Sequence, residues 1–263
     1  MKELLIFLVI IALVVAGLMF NKKFVETIKN IWKIEDLRKR IIYTLGLLLI
    51  YRLGSFVVIP GINPNALGAG SGIADQVEGN GLLGLLNIFT GGAFSNASVL
   101  ALGVMPYITA SIVIQLMGMV VPYFQKMQKE GESGRRKLNQ CTPVLTIAVL
   151  LFQGPTYAAK LYRQVPESFV YGNTFQFVAF ATLILIAGTM FIMWLGEKIT
   201  DRGIGNGISL IIMVGIVARL PHALIAEFNT RFTEATGGMI MLIVELVLLY
   251  LVFMGTIALV QAT

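Results

Sequence analysis

Apolar residues recur along this chain in long blocks, and block length is the first guide to its structure. Taken as helices, the blocks predict spans at about 4–20, 41–60, 97–121, 143–161, 175–195, 207–220 and 239–261, with 82–90 left as a short half-segment. The stretch 82–121, "LLGLLNIFTGGAFSNASVLALGVMPYITASIVIQLMGMVV", resists that scheme. As one helix it would reach ~60 Å, twice the ~30 Å hydrocarbon core of a bilayer. Gly91-Gly92, Ser95-Asn96 and Pro106 interrupt it. The double glycine lets the backbone turn, and the serine and asparagine side chains after it can cap a new helix. Two arrangements satisfy the pattern. One is a re-entrant half-helix over 82–90, a break, and a full span from 97; the other is a surface turn between an interfacial helix and an ordinary span. Broken backbone at membrane depth survives only where protein or a water-filled cavity covers it, so the first arrangement points to a transport pathway.

Within the span from 97, Val104, Ile108, Ser111 and Gln115 share one helical face, aliphatic at its outer end and polar deeper in. Pro106 removes a backbone hydrogen bond nearby and predicts a kink. Gln115 needs a partner in hydrocarbon, so it is expected to face a neighbouring helix. Ile212 and Ile216 share a face of the 207–220 span. Aliphatic residues at this spacing fit ordinary packing as well as a pore lining. Segment 24–33, "FVETIKNIWK", is too polar to cross. Its apolar stripe of Phe24, Ile28 and Ile31 predicts an amphipathic helix lying on the membrane, with Trp32 at headgroup depth.

Composition agrees: 57% of residues are hydrophobic and 13% charged, which marks an integral membrane protein of several spans. The single cysteine, Cys141, excludes an internal disulfide and argues against a thiolate metal site. The formal net charge of +6 is placed unevenly. Basic residues crowd the linkers 21–40, 122–142 (Lys126, Lys129, Arg135, Arg136, Lys137) and 196–206, and the alternate linkers are poorer. The positive-inside rule puts those three linkers in the cytoplasm, so the charge serves orientation and anionic-lipid contact rather than nucleic-acid binding.

Candidate chemistry is sparse. Arg52 lies inside a predicted span, where a charge is costly and faces protein, water or the interface; Glu245 shares that condition. An intramembrane enzyme would need buried paired aspartates, an H-E-x-x-H motif, or a nucleophile with its base. Asp36, Asp75 and Asp201 fall in linkers, and the only histidine, His222, follows Pro221 in an outer linker. No catalytic group, metal site or cofactor is expected. "GIGNGIS" lacks the lysine of a phosphate-binding loop. An ion-coupled or small-solute transporter would also use broken helices, but with acids or polar clusters near the midplane, where only Arg52, Gln115 and Glu245 approach the description.

The stretches "YRLGSFVVIPGI", "GGAFSNASVLALGVMPYITASIVIQL", "KEGESGRRK" and "GTMFIMWLGEKITDRGIGNGIS" occur in this order and together resemble the SecY family of bacterial protein-conducting channels. The resemblance runs from about Phe24 to the chain end. It implies an all-α, polytopic membrane helix bundle with a re-entrant plug half-helix, not an enzyme. The plug would span about 82–93, with Leu85, Leu86, Asn87 and Phe89 on it and Gly91 and Gly92 as its hinge. The constriction would be formed by Val104, Ile108, Ile212 and Ile216, with Val104 replacing an isoleucine common in the family. Ser111 and Gln115 would belong to the lateral gate, and Lys126, Lys129, Arg135, Arg136 and Lys137 to a cytoplasmic basic loop. The implied function is secretion of unfolded polypeptides across the bacterial cytoplasmic membrane and insertion of membrane segments into it. The implied partners are SecE and SecG, a driving SecA ATPase or ribosome, secretory preproteins, nascent membrane proteins and anionic lipids.

The resemblance also divides the chain into residues 21–40 as a cytoplasmic amphipathic helix and 41–263 as a truncated SecY-like membrane domain. Family members continue for four more spans after the position of Thr263. Residues 1–20 read as an apolar extension foreign to the family; a genuine extra span, a fusion and a start placed too far upstream are all compatible with it.

Overall fold

The computed structural model of the chain describes Glu26, Asn30 and residues 32–62, 81–164, 174–233 and 238–262. The extension 1–20 and most of the expected amphipathic helix lie outside the described residues. Among the described residues all regular structure is helical, apart from one isolated antiparallel bridge between Val58 and Ser98. Among the described residues three helices are long and apolar enough to cross a membrane, over Gln140–Arg163, Thr174–Arg202 and Gly207–Ile225; Met105–Val120 and Val247–Gln261 are shorter apolar helices.

The first helix, α1 (Glu35–Gly54), starts six residues before the predicted span and ends six before its expected end. Glu35 and Asp36 sit in its first turn, favoured by the helix dipole, and pair with Lys39 at 2.9 Å and Arg40 at 3.4 Å. Exposed pairs of this kind add only a few tenths of a kcal/mol each, but they carry the helix into the charged segment that composition assigned to a linker. After a turn at Ser55 and Phe56 the chain pairs with the segment 97–99: the Ile59 N–H donates to the Ala97 carbonyl at 3.0 Å and the Val99 N–H to the Val57 carbonyl at 2.8 Å.

The half-helix α2 (Gly81–Phe89) lies within a residue of its expected bounds. The span from 97 needs correction, because α3 (Met105–Val120) begins only at Met105, and 90–104 form a run of turns. Pro106 therefore stands in the first turn of α3, where its missing N–H costs nothing, and no kink in mid-span results. At 16 residues, α3 is about 24 Å long. Val121 ends it in extended conformation before Pro122 opens α4 (Pro122–Lys129). Then come α5 (Glu132–Gln164), α6 (Thr174–Arg202), α7 (Gly207–Thr233) and α8 (Gly238–Ala262). The basic 122–142 segment is thus mostly helical, and α5 extends well before its apolar part.

Two compact units are distinguished: residues 28–218, and a second holding the described residues from Arg219 on. In the first, α6 packs against α5 and α1, while α3 and α4 pack against α5. Lipid tails are as apolar as leucine, so association rests on close van der Waals fit and internal hydrogen bonds. Gly188 of α6 illustrates it, since a methyl group there would collide with the Val99 carbonyl. One apolar core joins Ile59, Phe94, Ala97 and Ala101 to Tyr157 and Leu161 of α5 and Phe177 and Leu185 of α6. A second joins Leu48 and Tyr51 of α1, Leu100, Val104, three α6 isoleucine and leucine side chains (Ile192, Leu195, Ile199) and Ile211 of α7. In the second unit, α8 carries apolar side chains around its whole circumference, as a helix meant for lipid or further helices does.

The α6–α7 corner explains part of "TDRGIGNGIS". Asn206 caps α7, its Oδ1 accepting from the N–H groups of Ile208 at 3.1 Å and Ser209 at 3.2 Å. The Thr200 hydroxyl accepts from the Gly207 N–H at 2.9 Å, and the Thr44 hydroxyl of α1 accepts from the Ile204 N–H at 3.2 Å. The motif is a helix corner pinned to α1.

Candidate functional site

The centre of interest is where α2 ends. Its last turn closes with the Gly92 N–H donating to the Asn87 carbonyl at 2.9 Å and the Gly91 N–H to the Ile88 carbonyl at 3.0 Å. Gly91 has φ +65°. That pairing, with a left-handed glycine just past the helix, is a Schellman cap. The double glycine terminates the half-helix, and it does so buried in protein.

The fifteen residues 90–104 hold almost no regular structure yet are largely buried, which protein can tolerate only if their backbone groups are paired. They are. Buried Asn87 accepts the Ser95 N–H on Oδ1 at 3.1 Å, and the Thr90 hydroxyl accepts the Phe94 N–H at 3.3 Å. The Ser95 hydroxyl donates to the Gly92 carbonyl at 3.0 Å, and the Tyr157 hydroxyl reaches across from α5 to the Phe94 carbonyl at 2.9 Å. Ala97 holds a left-handed φ of 45°, over-determined by its contacts with Ile59 and Phe94.

Around this cap converge three other elements. From α1, Arg52 Nη1 donates to the Gly91 carbonyl at 2.8 Å, and its guanidinium lies over the Phe56 ring, 4.9 Å from the centroid. From α7, Gly215 approaches so closely that a methyl on Gly91 would stand 3.1 Å from the Gly215 Cα. From the approach to α3, a methyl on Gly103 would stand 3.0 Å from Thr90 Cγ2. Gly103 precedes Val104 and Gly215 precedes Ile216. The end of α2 is therefore seated one residue from two of the four expected constriction positions.

Of those four, Val104 is buried at the N-terminus of α3, and half-buried Ile108 and Ile212 pack on the same apolar cluster. Ile216 is half-buried one turn further along α7. On α2, Asn87 is buried and Leu86 half-buried, whereas Leu85 and Phe89 are exposed with Ile88 between them in register. The half-helix thus keeps an uncovered apolar face. Gln115 is exposed and its Nε2 donates to Ser111 Oγ on its own helix at 3.4 Å, in place of the expected partner on a neighbouring helix. Lys126 and Lys129 are exposed on α4. Arg135, Arg136 and Lys137 fall in the first turns of α5, with side chains outside the description. Sequence reasoning did not find the partners of Arg52, Asn87 and Tyr157, which lie 39, 8 and 63 residues away. The capping glycine was legible, since a Gly directly after a helical block is the commonest sign of such a cap.

Among the described residues no group of three or more His, Cys, Asp or Glu side chains is arranged to hold a metal ion.

Comparison with known proteins adds the family. The SecY family model matches residues 98–263. The protein translocase subunit SecY of Halalkalibacterium halodurans is 43% identical over 233 residues, covering 88% of this chain and 52% of the relative. The protein translocase subunit SecY of Escherichia coli is 43% identical over 222 residues, covering 84% and 48%. The chain spans about half the length of the curated relatives it matches. A solved structure described as that of a protein conducting channel aligns with a TM-score of 0.48 at 17% identity, over 68% of this chain and 36% of its own.

Proposed function

The chain belongs to the SecY family, and from that premise we propose that it is a subunit of a protein-conducting channel carrying unfolded polypeptides across, and membrane segments into, the bacterial cytoplasmic membrane. It is a multi-pass membrane protein. One observation supports the channel reading above the rest: a capped half-helix is seated against the neighbours of Val104 and Ile216, beside the cluster that takes in Ile108 and Ile212. In this reading α2 and its cap, residues 82–93, are the plug. Val104, Ile108, Ile212 and Ile216 are the aliphatic ring it closes, and residues 41–263 belong to the membrane domain.

An aliphatic ring suits the task. It deforms around many side chains, offers none of them a strong binding site, and opposes ions by dewetting. Ser111 and Gln115 lie along α3 where a lateral gate would open. Lys126 and Lys129, with Arg135 to Lys137, give a cytoplasmic basic surface for SecA, the ribosome and anionic headgroups. SecE and SecG are the expected companion subunits. The driving energy comes from the partner.

Depleting the protein from its native cell tests this reading. Unprocessed secretory precursors are expected to accumulate within one or two doublings. Loss of a small-solute flux with precursor processing unchanged would refute it in favour of a transporter.

A further inference from the structure

We propose that Arg52 is a latch that holds the half-helix α2 in its closed seat by binding the carbonyl of Gly91, a role that rests on the reading of α2 as the plug. The contact is 2.8 Å long and joins two elements far apart in sequence. It is also well placed electrostatically. The carbonyl ends of α2 carry the negative end of its dipole, and the guanidinium stands at that end. A buried or half-buried arginine in a membrane span would ordinarily be costly. Here the Phe56 ring covers one face of the guanidinium and the plug's cap supplies the acceptor, so the seat is completed from both sides.

The cap makes this carbonyl available. Gly91 takes φ +65° to end the helix, and its own N–H is spent on Ile88. Its lack of a side chain lets Arg52 Nη1 on one side and the Gly215 backbone on the other come within contact distance. A contact made in only one of two states shifts their equilibrium by its own free energy. Arg52 touches the end of α2 in the seated state, so it biases the channel toward closure without touching the translocating chain. It is a positioning residue. A hydrogen bond to a charged donor is worth a change on the order of tenfold or more in such an equilibrium.

The test uses the complete complex containing this chain, reconstituted in planar bilayers at equal assembled amounts, with resting ion conductance as the readout. Deleting 82–90 tests the plug reading alone and is expected to raise the leak. Arg52→Gln is expected to raise it on the order of tenfold. Arg52→Lys keeps a charged donor and should stay within about threefold of the parent. Adding Arg52→Gln to the deletion should give no further rise. If Arg52→Gln fails to assemble, Phe56→Leu carries the test, with an expected rise of about two- to fivefold. A leak raised by the deletion but unchanged by Arg52→Gln, or by Phe56→Leu where that variant replaces it, overturns the latch and leaves the plug reading intact. A rise from Arg52→Gln that persists in the deletion background also overturns it, because the arginine then acts elsewhere. No rise from the deletion itself removes the plug reading and the latch together.

Discussion

Replacing Asn87 by leucine takes away one acceptor from the turn that anchors the half-helix while keeping the same number and branching of side-chain heavy atoms. Asn87 is 1% exposed and Ser95, whose N–H it accepts at 3.1 Å, is 8% exposed, so no water replaces the lost partner. An orphaned buried N–H costs about 1–3 kcal/mol. Leucine returns a few tenths of a kcal/mol through its better helix propensity, and its bulkier side chain opens no cavity. The net loss, about 1–2.5 kcal/mol, lowers the population of the anchored turn roughly 5- to 60-fold relative to loosened states. The assay is maleimide labelling of Ala93→Cys in the membrane-embedded complex. Ala93 is buried at 1% exposure, and the free thiol of Cys141 is first removed as Cys141→Ala. Asn87→Leu should speed labelling by several-fold and raise the resting leak with it. Labelling and leak both equal to the parent would refute the claim that this hydrogen bond secures the turn.

Gly91→Ala forces a methyl into a left-handed residue, at about 1–2 kcal/mol, and against Gly215 and Arg52 as well. It should increase resting conductance more than the same change at Gly131, which has φ +72° but open space around it. Tyr157→Phe leaves the Phe94 carbonyl without its hydroxyl donor and should lower the thermal stability of the detergent-solubilised complex by about 1–2 kcal/mol, read as a fall in Tm. Asn206→Ala removes the α7 cap and should cost about 0.5–2 kcal/mol in the same assay, whereas Asn206→Asp should cost little.

Block length located the long apolar helices because that property is carried by each segment alone. It also found the half-helix, since 82–90 is too short to cross and glycine follows it. It overran on the α2–α3 connection, where 97–104 are as apolar as the helix they precede. What decides there is tertiary: Ser98 and Val99 pair with Val57 and Val58, and α6 brings Gly188 against the Val99 carbonyl. Pro106 was legible as a disturbance, but whether it kinks a helix or starts one depends on where the helix begins. Arg52 was legible as a costly charge, and its partner was not, because a backbone carbonyl leaves no mark in a sequence. The start of α1 was missed for a simpler reason. Charged residues at 35–40 look like a linker when counted by polarity and like a well-paired helical turn when read at spacing of four.

The central claim is that a polypeptide passes the ring of Val104, Ile108, Ile212 and Ile216. It is tested most directly by placing a photoreactive residue at Ile108 in the complete complex and arresting a secretory preprotein midway through transit. A crosslink from Ile108 to the arrested chain is predicted, with none from the same probe at Phe152, whose side chain is exposed on α5 and is not among the residues of the apolar cluster that takes in Ile108 and Ile212. An arrested preprotein that never crosslinks to Ile108 would contradict the account.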